Sequence, residues 1–264
     1  MTDAQVQAAA AALVEAEKTG RQCGLVSAAN PGMTMEDAYA VQAAVVAAKQ
    51  AEGLDRIGWK IGLTSRAMQQ ALNIDIPDSG VLLDDMLFED GGTVPAGRFI
   101  QPRIECEIAF IMGADVAPDA SEADIIAATE WVAPSLEILD TRIKRVDEEG
   151  RTRVIFDTIS DNAANAGLVL GPQRFRPAEV DLPRVGAAVL RDGEVEETGL
   201  GAGVLGDPVR SVAWLVRRLG EHGMSVKAGE VLLSGSFIRP VECPPGCKVE
   251  ADFGAFGAVS IRFA

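Results

Sequence analysis

The sequence predicts an α+β fold, in which N-terminal helices precede a mixed, mostly antiparallel β-sheet curled into a roll. Three observations carry that reading. Helical periodicity dominates the chain up to Gly53. Beyond it, apolar residues alternate in short runs punctuated by glycine. Within those runs, Asp192-Gly193 joins Ala187–Arg191 to Glu194–Glu197, a strong hairpin signal.

Taken in order, Val6, Ala9, Leu13 and Ala16 share one helical face after a Thr2/Asp3 cap, and Gly20 supplies the stop. A second helix opens at Thr34, with Asp37 at the capping-box position where Glu or Gln is usual. Ala38, Val41, Val45 and Ala48 follow, and Gly53 closes it. Residues 1–55 therefore form a helical segment expected to pack on a main body of residues 56–264.

In Ile57–Leu63, alternation puts Ile57, Trp59 and Ile61 on one strand face and Lys60 on the other, between Gly58 and Gly62. Flanking glycines give a lysine room for a ligand to approach closely; the other reading is a solvent-facing lysine on an edge strand. Thr64 or Ser65 then caps a short helix expected through Ala71. Pro77-Asp78-Ser79-Gly80 has β-turn composition, which makes Asp78 a turn residue by default.

Ile100–Met112 is the most informative stretch. Ile104, Cys106, Ile108, Phe110 and Met112 form one apolar strand face, and the other carries Glu105 and Glu107. Two carboxylates about 7 Å apart on one face suit a cation site, or else a half-solvated acidic face. A second run, Trp131–Leu139, holds a lone acid, Glu137, which is either solvent-facing or held by a partner. Three such carboxylates brought together would need a cation, since like charges ~4 Å apart repel by about 4 kcal/mol at an effective dielectric near 20. Hard oxygen donors without thiolate or imidazole point to Mg²⁺ or Mn²⁺ rather than zinc.

Ser121 with Asp124 starts a helix through Thr129. Residues 141–155 form a charged connection with Arg142, Lys144, Arg145, Arg151 and Arg153, the most basic stretch of an acidic chain. It reads as a solvated loop or as the receptor for an anionic substrate's far end. Phe156–Asn162 suits a turn network or a site. Asp207-Pro208 opens a helix with Val209, Val212, Ala213, Val216 and Leu219 inward, closed by Gly220 and Gly223.

Composition excludes several classes. At 264 residues, 48% apolar and 24% charged, the chain has ample material for a core. A net charge of −15 argues against nucleic acid and against an anionic membrane surface. With no apolar run near membrane-spanning length and no secretory leader pattern, the expected location is cytoplasmic. The four cysteines read as reduced thiols, and Cys243-Pro-Pro-Gly-Cys247 lacks the second ligand pair a zinc site needs. Gly201–Gly206 matches G-x-G-x-x-G, but the half-acidic Glu194–Thr198 precedes it where a dinucleotide site needs a buried strand; it reads as a glycine-rich loop.

Gly58–Ser65, Pro77–Gly80, Ile104–Glu107, Phe156–Gly167, Glu196–Gly203 and Ser234–Pro240, in this order, resemble the hydratase/decarboxylase branch of the fumarylacetoacetase superfamily, from about Asp37 to the C-terminus. The resemblance implies a fumarylacetoacetase-like β-roll as catalytic domain, a bound Mg²⁺ or Mn²⁺ and a homo-oligomer. It matches Glu105, Glu107 and Glu137 to metal ligands and Lys60 to an active-site lysine. Asp78 and Ser160 match positions that orient water or substrate, with Asp78 the expected general base and Ser160 positioning its water. Ser236 falls in the stretch that approaches the substrate carboxylate. One departure is Ser79, where related members often carry a tyrosine.

The implied activity is metal-dependent hydration of a 2-hydroxy-2,4-dienoate or 2-oxo-alkenoate, such as 2-oxo-hept-4-ene-1,7-dioate, in meta-cleavage catabolism of aromatic compounds. The product is a 4-hydroxy-2-oxo acid, and the implied partners are the small anionic substrate and a decarboxylase of the same pathway. The alternatives are a 2-oxo-3-hexenedioate (4-oxalocrotonate) decarboxylase and a non-catalytic 2-oxo-acid-binding subunit. A C–C hydrolase is disfavoured, because such enzymes commonly use a histidine and the one here, His222, follows a helix.

Overall fold

The computed structural model describes residues 1–65, 69 and 76–264. The short helix expected through Ala71 lies outside the described residues. Helix α1 (Asp3–Thr19) is capped by Thr2, whose own N–H donates in return to Gln5 Oε1, and stops at a left-handed Gly20. A short α2 (Val26–Ala29) leads to α3 (Met35–Ala51). At its start the Thr34 N–H donates to Asp37 Oδ2 at 2.8 Å, so the aspartate completes the capping box.

Among the described residues the strands form two sheets. The larger holds β1 (Arg56–Gly62), β2 (Asp78–Leu83), β3 (Leu87–Phe88), β5 (Arg103–Met112), β6 (Thr129–Leu139), β7 (Asn165–Leu170), β10 (Val231–Leu233) and β11 (Val241–Glu242). Their order is β2-β1-β10-β5-β6-β7-β3, with β11 on β5. The smaller is β4 (Thr93–Val94), β13 (Ala258–Phe263), β12 (Lys248–Asp252), β8 (Gly186–Arg191) and β9 (Glu194–Leu200), in that order. Most pairings are antiparallel; β1 with β10, β3 with β7 and β4 with β13 are parallel. The predicted mixed, curled architecture is the one observed. Asp192 and Gly193 both take positive φ, as the turn of the predicted β8–β9 hairpin requires.

The apolar face of β5 is fully enclosed: Ile104, Cys106, Ile108 and Phe110 are 0% exposed. Val209, Val212, Ala213, Val216 and Leu219 of the helix Pro208–Glu221 belong to the same core. A second apolar cluster joins Leu13, Val41 and Val45 of α1 and α3 to Ile143 and Ile159. The N-terminal helices thereby clamp the 141–160 connection. No helix among the described residues is long and apolar enough to cross a membrane.

One local expectation changes. Pro77–Gly80 does not form a turn: Asp78 begins β2, paired opposite Gly62 of β1. Turn-type residues here enter a strand because β1 offers them a ladder. The residues of the G-x-G-x-x-G match pack closely on protein instead of opening a phosphate cradle; a Cβ on Gly201 would lie 2.2 Å from the Leu182 carbonyl oxygen.

Candidate metal centre

The long β5–β6 ladder sets the site. Its register places Glu105 directly opposite Glu137, and Glu107 follows two residues on along the same face. Ligand oxygens of the three carboxylates all lie within 4.8 Å of one another. Glu107 and Glu137 are 0% exposed, whereas Glu105 is half-buried and lines a cleft of about 420 Å³. Glu107 Oε2 accepts from the Gly235 N–H at 2.6 Å and Glu137 Oε1 accepts from Asn165 Nδ2 at 2.8 Å. Glu107 Oε1 and Glu137 Oε2 are buried with no hydrogen-bond partner among the described residues. Convergent hard-oxygen donors with orphaned lone pairs fit a divalent cation such as Mg²⁺.

Lys60 comes from the opposite side. β1 lies between β2 and β10, so this lysine is interior; it is 3% exposed. Its Nζ donates to the Ala163 carbonyl at 3.2 Å and lies 3.3 Å from Glu137 Oε1. The flanking glycines make room for protein rather than for a ligand. A Cβ on Gly58 would strike the Val231 carbonyl oxygen of β10 at 1.8 Å, and one on Gly62 would meet Asp78 Oδ1 at 2.2 Å. Asp78 is thereby gathered beside Lys60, buried, with Oδ1 unpartnered among the described residues.

Ser160 and Ser236 come from other segments of the chain. Ser160 ends the helix Ile155–Ser160, with a buried hydroxyl that makes no hydrogen bond among the described residues. Ser236 lines the cleft, but its hydroxyl is engaged by the Ile238 backbone. At the departure position, the Ser79 N–H donates to the hydroxyl of Tyr39, reaching in from α3.

Sequence reasoning missed the segment that holds the site together. Asn162, Ala163 and Ala164 all have positive φ (51°, 53° and 58°), three left-handed non-glycine residues in a row. That conformation costs roughly 1–2 kcal/mol per residue, offset here by a dense set of bonds. Asn162 exchanges two hydrogen bonds with the backbone of Val81, at 2.8 and 2.9 Å. The turn then offers the Ala163 carbonyl to Lys60 and delivers Asn165 to Glu137. Arg142 braces it from behind, through a buried bond to Asp161 Oδ1 at 2.5 Å and donations to the carbonyls of Asp161 and Asn165. The available sequence signal was asparagine itself, which tolerates left-handed backbone best among non-glycine residues.

The electrostatics follow from crowding. Burial first, then Glu137, raises Glu105 to about 8, and burial with both neighbouring glutamates pushes Glu107 well above its ordinary value. Burial also lifts Asp78, against the pull of Lys60. Burial opposes charge on Lys60, but Glu137, Asp78, Glu105 and Glu107 together hold its pKa above the ordinary lysine value. A carboxylate whose folded pKa exceeds its unfolded one contributes its full stability below the unfolded value and loses it as pH rises through the folded value. For Glu105 that window runs from 4.5 to about 8. The expected result is a metal-free protein whose melting temperature falls across this window, with Mg²⁺ restoring it most at the alkaline end. Thermal melts in chelator and in Mg²⁺ check this.

No family model matches the chain. It is 47% identical over 253 residues to the 2-oxo-hept-4-ene-1,7-dioate hydratase of Escherichia coli, covering 95% of each chain. It superimposes with a TM-score of 0.94 and 34% identity on the 4-oxalocrotonate decarboxylase from Pseudomonas putida G7 complexed with magnesium and adipate, covering 100% of this chain and 99% of the other. A fumarylacetoacetate hydrolase family protein from Yersinia pestis CO92 shares the fold, with a TM-score of 0.56, 12% identity and coverage of 78% of this chain and 92% of the other.

Proposed function

We propose, for a chain that belongs to the hydratase/decarboxylase branch of the fumarylacetoacetase superfamily, that it is a divalent-metal-dependent hydro-lyase adding water to a 2-oxo-alkenoate, with 2-oxo-hept-4-ene-1,7-dioate the favoured substrate. The observation that carries this reading is the Glu105–Glu107–Glu137 cluster, buried beside a lysine that stays cationic. A Mg²⁺ or Mn²⁺ held by these three glutamates supplies Lewis acidity to the substrate's 2-oxo group.

The chain's own residues do the rest. Lys60, fixed by the Ala163 carbonyl and Glu137, donates to the oxyanion that develops at the C2 oxygen. The 4-ene first moves into conjugation as the 2-oxo-3-ene, through the dienol, by loss of a proton from C3 and gain of one at C5. Asp78, with a carboxyl lifted by burial, then takes the proton of the attacking water as its oxygen bonds to C4, and a proton is returned to C3. The hydroxyl of Ser160 orients that water, and Ser236 holds the substrate at the cleft wall. Asp78→Asn is expected to lower kcat about a hundredfold or more and to abolish the acid limb of the pH–rate profile. An unchanged profile would remove Asp78 from the base role.

A second reading, decarboxylation, is favoured by the close superposition on the P. putida enzyme. Product analysis with five-, six- and seven-carbon dienol acids plus Mg²⁺, before and after chelation, separates the two. Hydrated product without carbon dioxide supports the hydratase, carbon dioxide release the decarboxylase, and turnover surviving complete metal removal excludes both. The same reading includes a helical segment of residues 1–55 on a catalytic domain of residues 56–264, supported by the separate apolar cluster under α1 and α3. It also includes a homo-oligomer, association with a decarboxylase of the same pathway, and a cytoplasmic location.

A further inference from the structure

Of the five basic residues in the 141–153 connection, three are neutralised locally. Arg142 is buried on Asp161, Lys144 pairs with Glu148, and Arg151 pairs with Asp147 and Glu149. The other two, Arg145 and Arg153, line a small cavity of about 100 Å³ together with Arg103 from the start of β5. Its apolar wall is Leu139, Ala164 and Pro240, and Pro240 also lines the larger cleft that contains Glu105.

We propose that Arg103, Arg145 and Arg153 form an anion site that receives the second carboxylate of a dicarboxylic 2-oxo acid, and so set the enzyme's preference for dioates over monoacids. The inference rests on the hydratase reading above for its substrate and deepens it. Strand register provides the alignment. Arg103 lies two residues before Glu105 on the same face of β5, opposite Leu139, while Glu105 lies opposite Glu137. Along a strand that offset is about 7 Å, within the reach of a short carbon chain anchored by its 2-oxo end at the carboxylate cluster.

The guanidiniums are underused by the protein. Arg153 Nη1 donates to Thr141 Oγ1 at 2.6 Å, and Arg103 reaches Glu242 at 2.7 Å on its outer side. Arg145 has no carboxylate partner within ion-pair distance among the described residues. The acid on the cavity wall, Asp140, is already engaged, accepting from the Ile100 and Gln101 N–H groups at 2.9 and 2.7 Å. Burial, then Arg103 and Arg153, depresses Arg145 below the ordinary arginine value despite the opposing pull of Glu242 and Asp140, so positive charge is in excess where these guanidiniums gather. A planar carboxylate is the ligand that such forked donors recognise.

The test uses the Mg²⁺-loaded protein. Calorimetric titrations with adipate and with hexanoate measure binding, while turnover is compared between a seven-carbon dienol dioate and its monoacid analogue. Adipate is expected to bind at least about tenfold tighter than hexanoate, a ratio falling to about twofold or less in Arg145→Gln and in Arg153→Gln. The dioate-to-monoacid ratio of kcat/KM is expected to fall in parallel. Matched melting temperatures establish that both variants are folded. Equal affinities in the unmodified protein, a ratio that survives both substitutions, or one that collapses only in Arg239→Gln at the rim of the larger cleft would each overturn the assignment. Should neither substrate turn over while the binding ratios behave as expected, the hydratase reading fails and the anion site stands.

Discussion

Replacing Glu137 by glutamine is expected to abolish measurable Mg²⁺ binding and to lower turnover by more than the 10–100-fold typical of losing an outer partner of a metal site. Glu137 is where the site's interactions converge: it faces Glu105 across the ladder, lies 3.3 Å from Lys60 and accepts from Asn165. The same substitution removes one of three crowded negative charges, so the metal-free variant is expected to lose less stability than the parent as pH rises toward 8. Calorimetric Mg²⁺ titration, turnover and melts in chelator measure the three effects together. A variant that bound Mg²⁺ as the parent does would remove Glu137 from the ligand set.

Lys60→Met is expected to act in the opposite sense on the metal and just as severely on the chemistry. Without the ammonium, the three glutamates attract a cation more strongly, so Mg²⁺ affinity is maintained or increased. Turnover is expected to fall about 10²–10³-fold, as it does when an oxyanion donor is removed. The metal-free protein is expected to lose about 3–5 kcal/mol, because breaking a buried pair leaves charge uncompensated. Lys60→Arg offers no rescue: the Gly62, Asp78 and Ala163 walls are already in contact with Nζ or close to it, with no space for a planar guanidinium. Strong Mg²⁺ binding with lost turnover separates this variant from Glu137→Gln. Full activity in Lys60→Met would exclude the donor role.

What was legible in the sequence was what period-two alternation encodes locally. It put Glu105 and Glu107 on one face, placed Glu137 in an apolar run and marked Lys60 between glycines; the helix caps were equally plain. What was not legible depends on partners distant in sequence. Asp78 carries turn-forming neighbours and becomes a strand residue only because β1 is there to pair with it. Gly58 is required by a carbonyl of β10, more than 170 positions later. The left-handed turn at Asn162–Ala164 leaves a propensity signature only in its asparagine, since its other two residues are alanine. The arginines of the 141–153 connection looked alike as a string, and only their ion pairs sort the structural ones from those facing a cavity.

The position of β10 has a consequence for how the protein is made. This three-residue strand, Val231–Leu233, is inserted between β1, which carries Lys60, and β5, which carries Glu105 and Glu107. Until the ribosome has delivered residue 233, the lysine and the glutamates have no sheet in common. Such non-local pairing makes folding slow. A late-synthesised strand of the main sheet is therefore the piece that assembles the active site, so a nascent chain cannot acquire the function before residue 233 has been added.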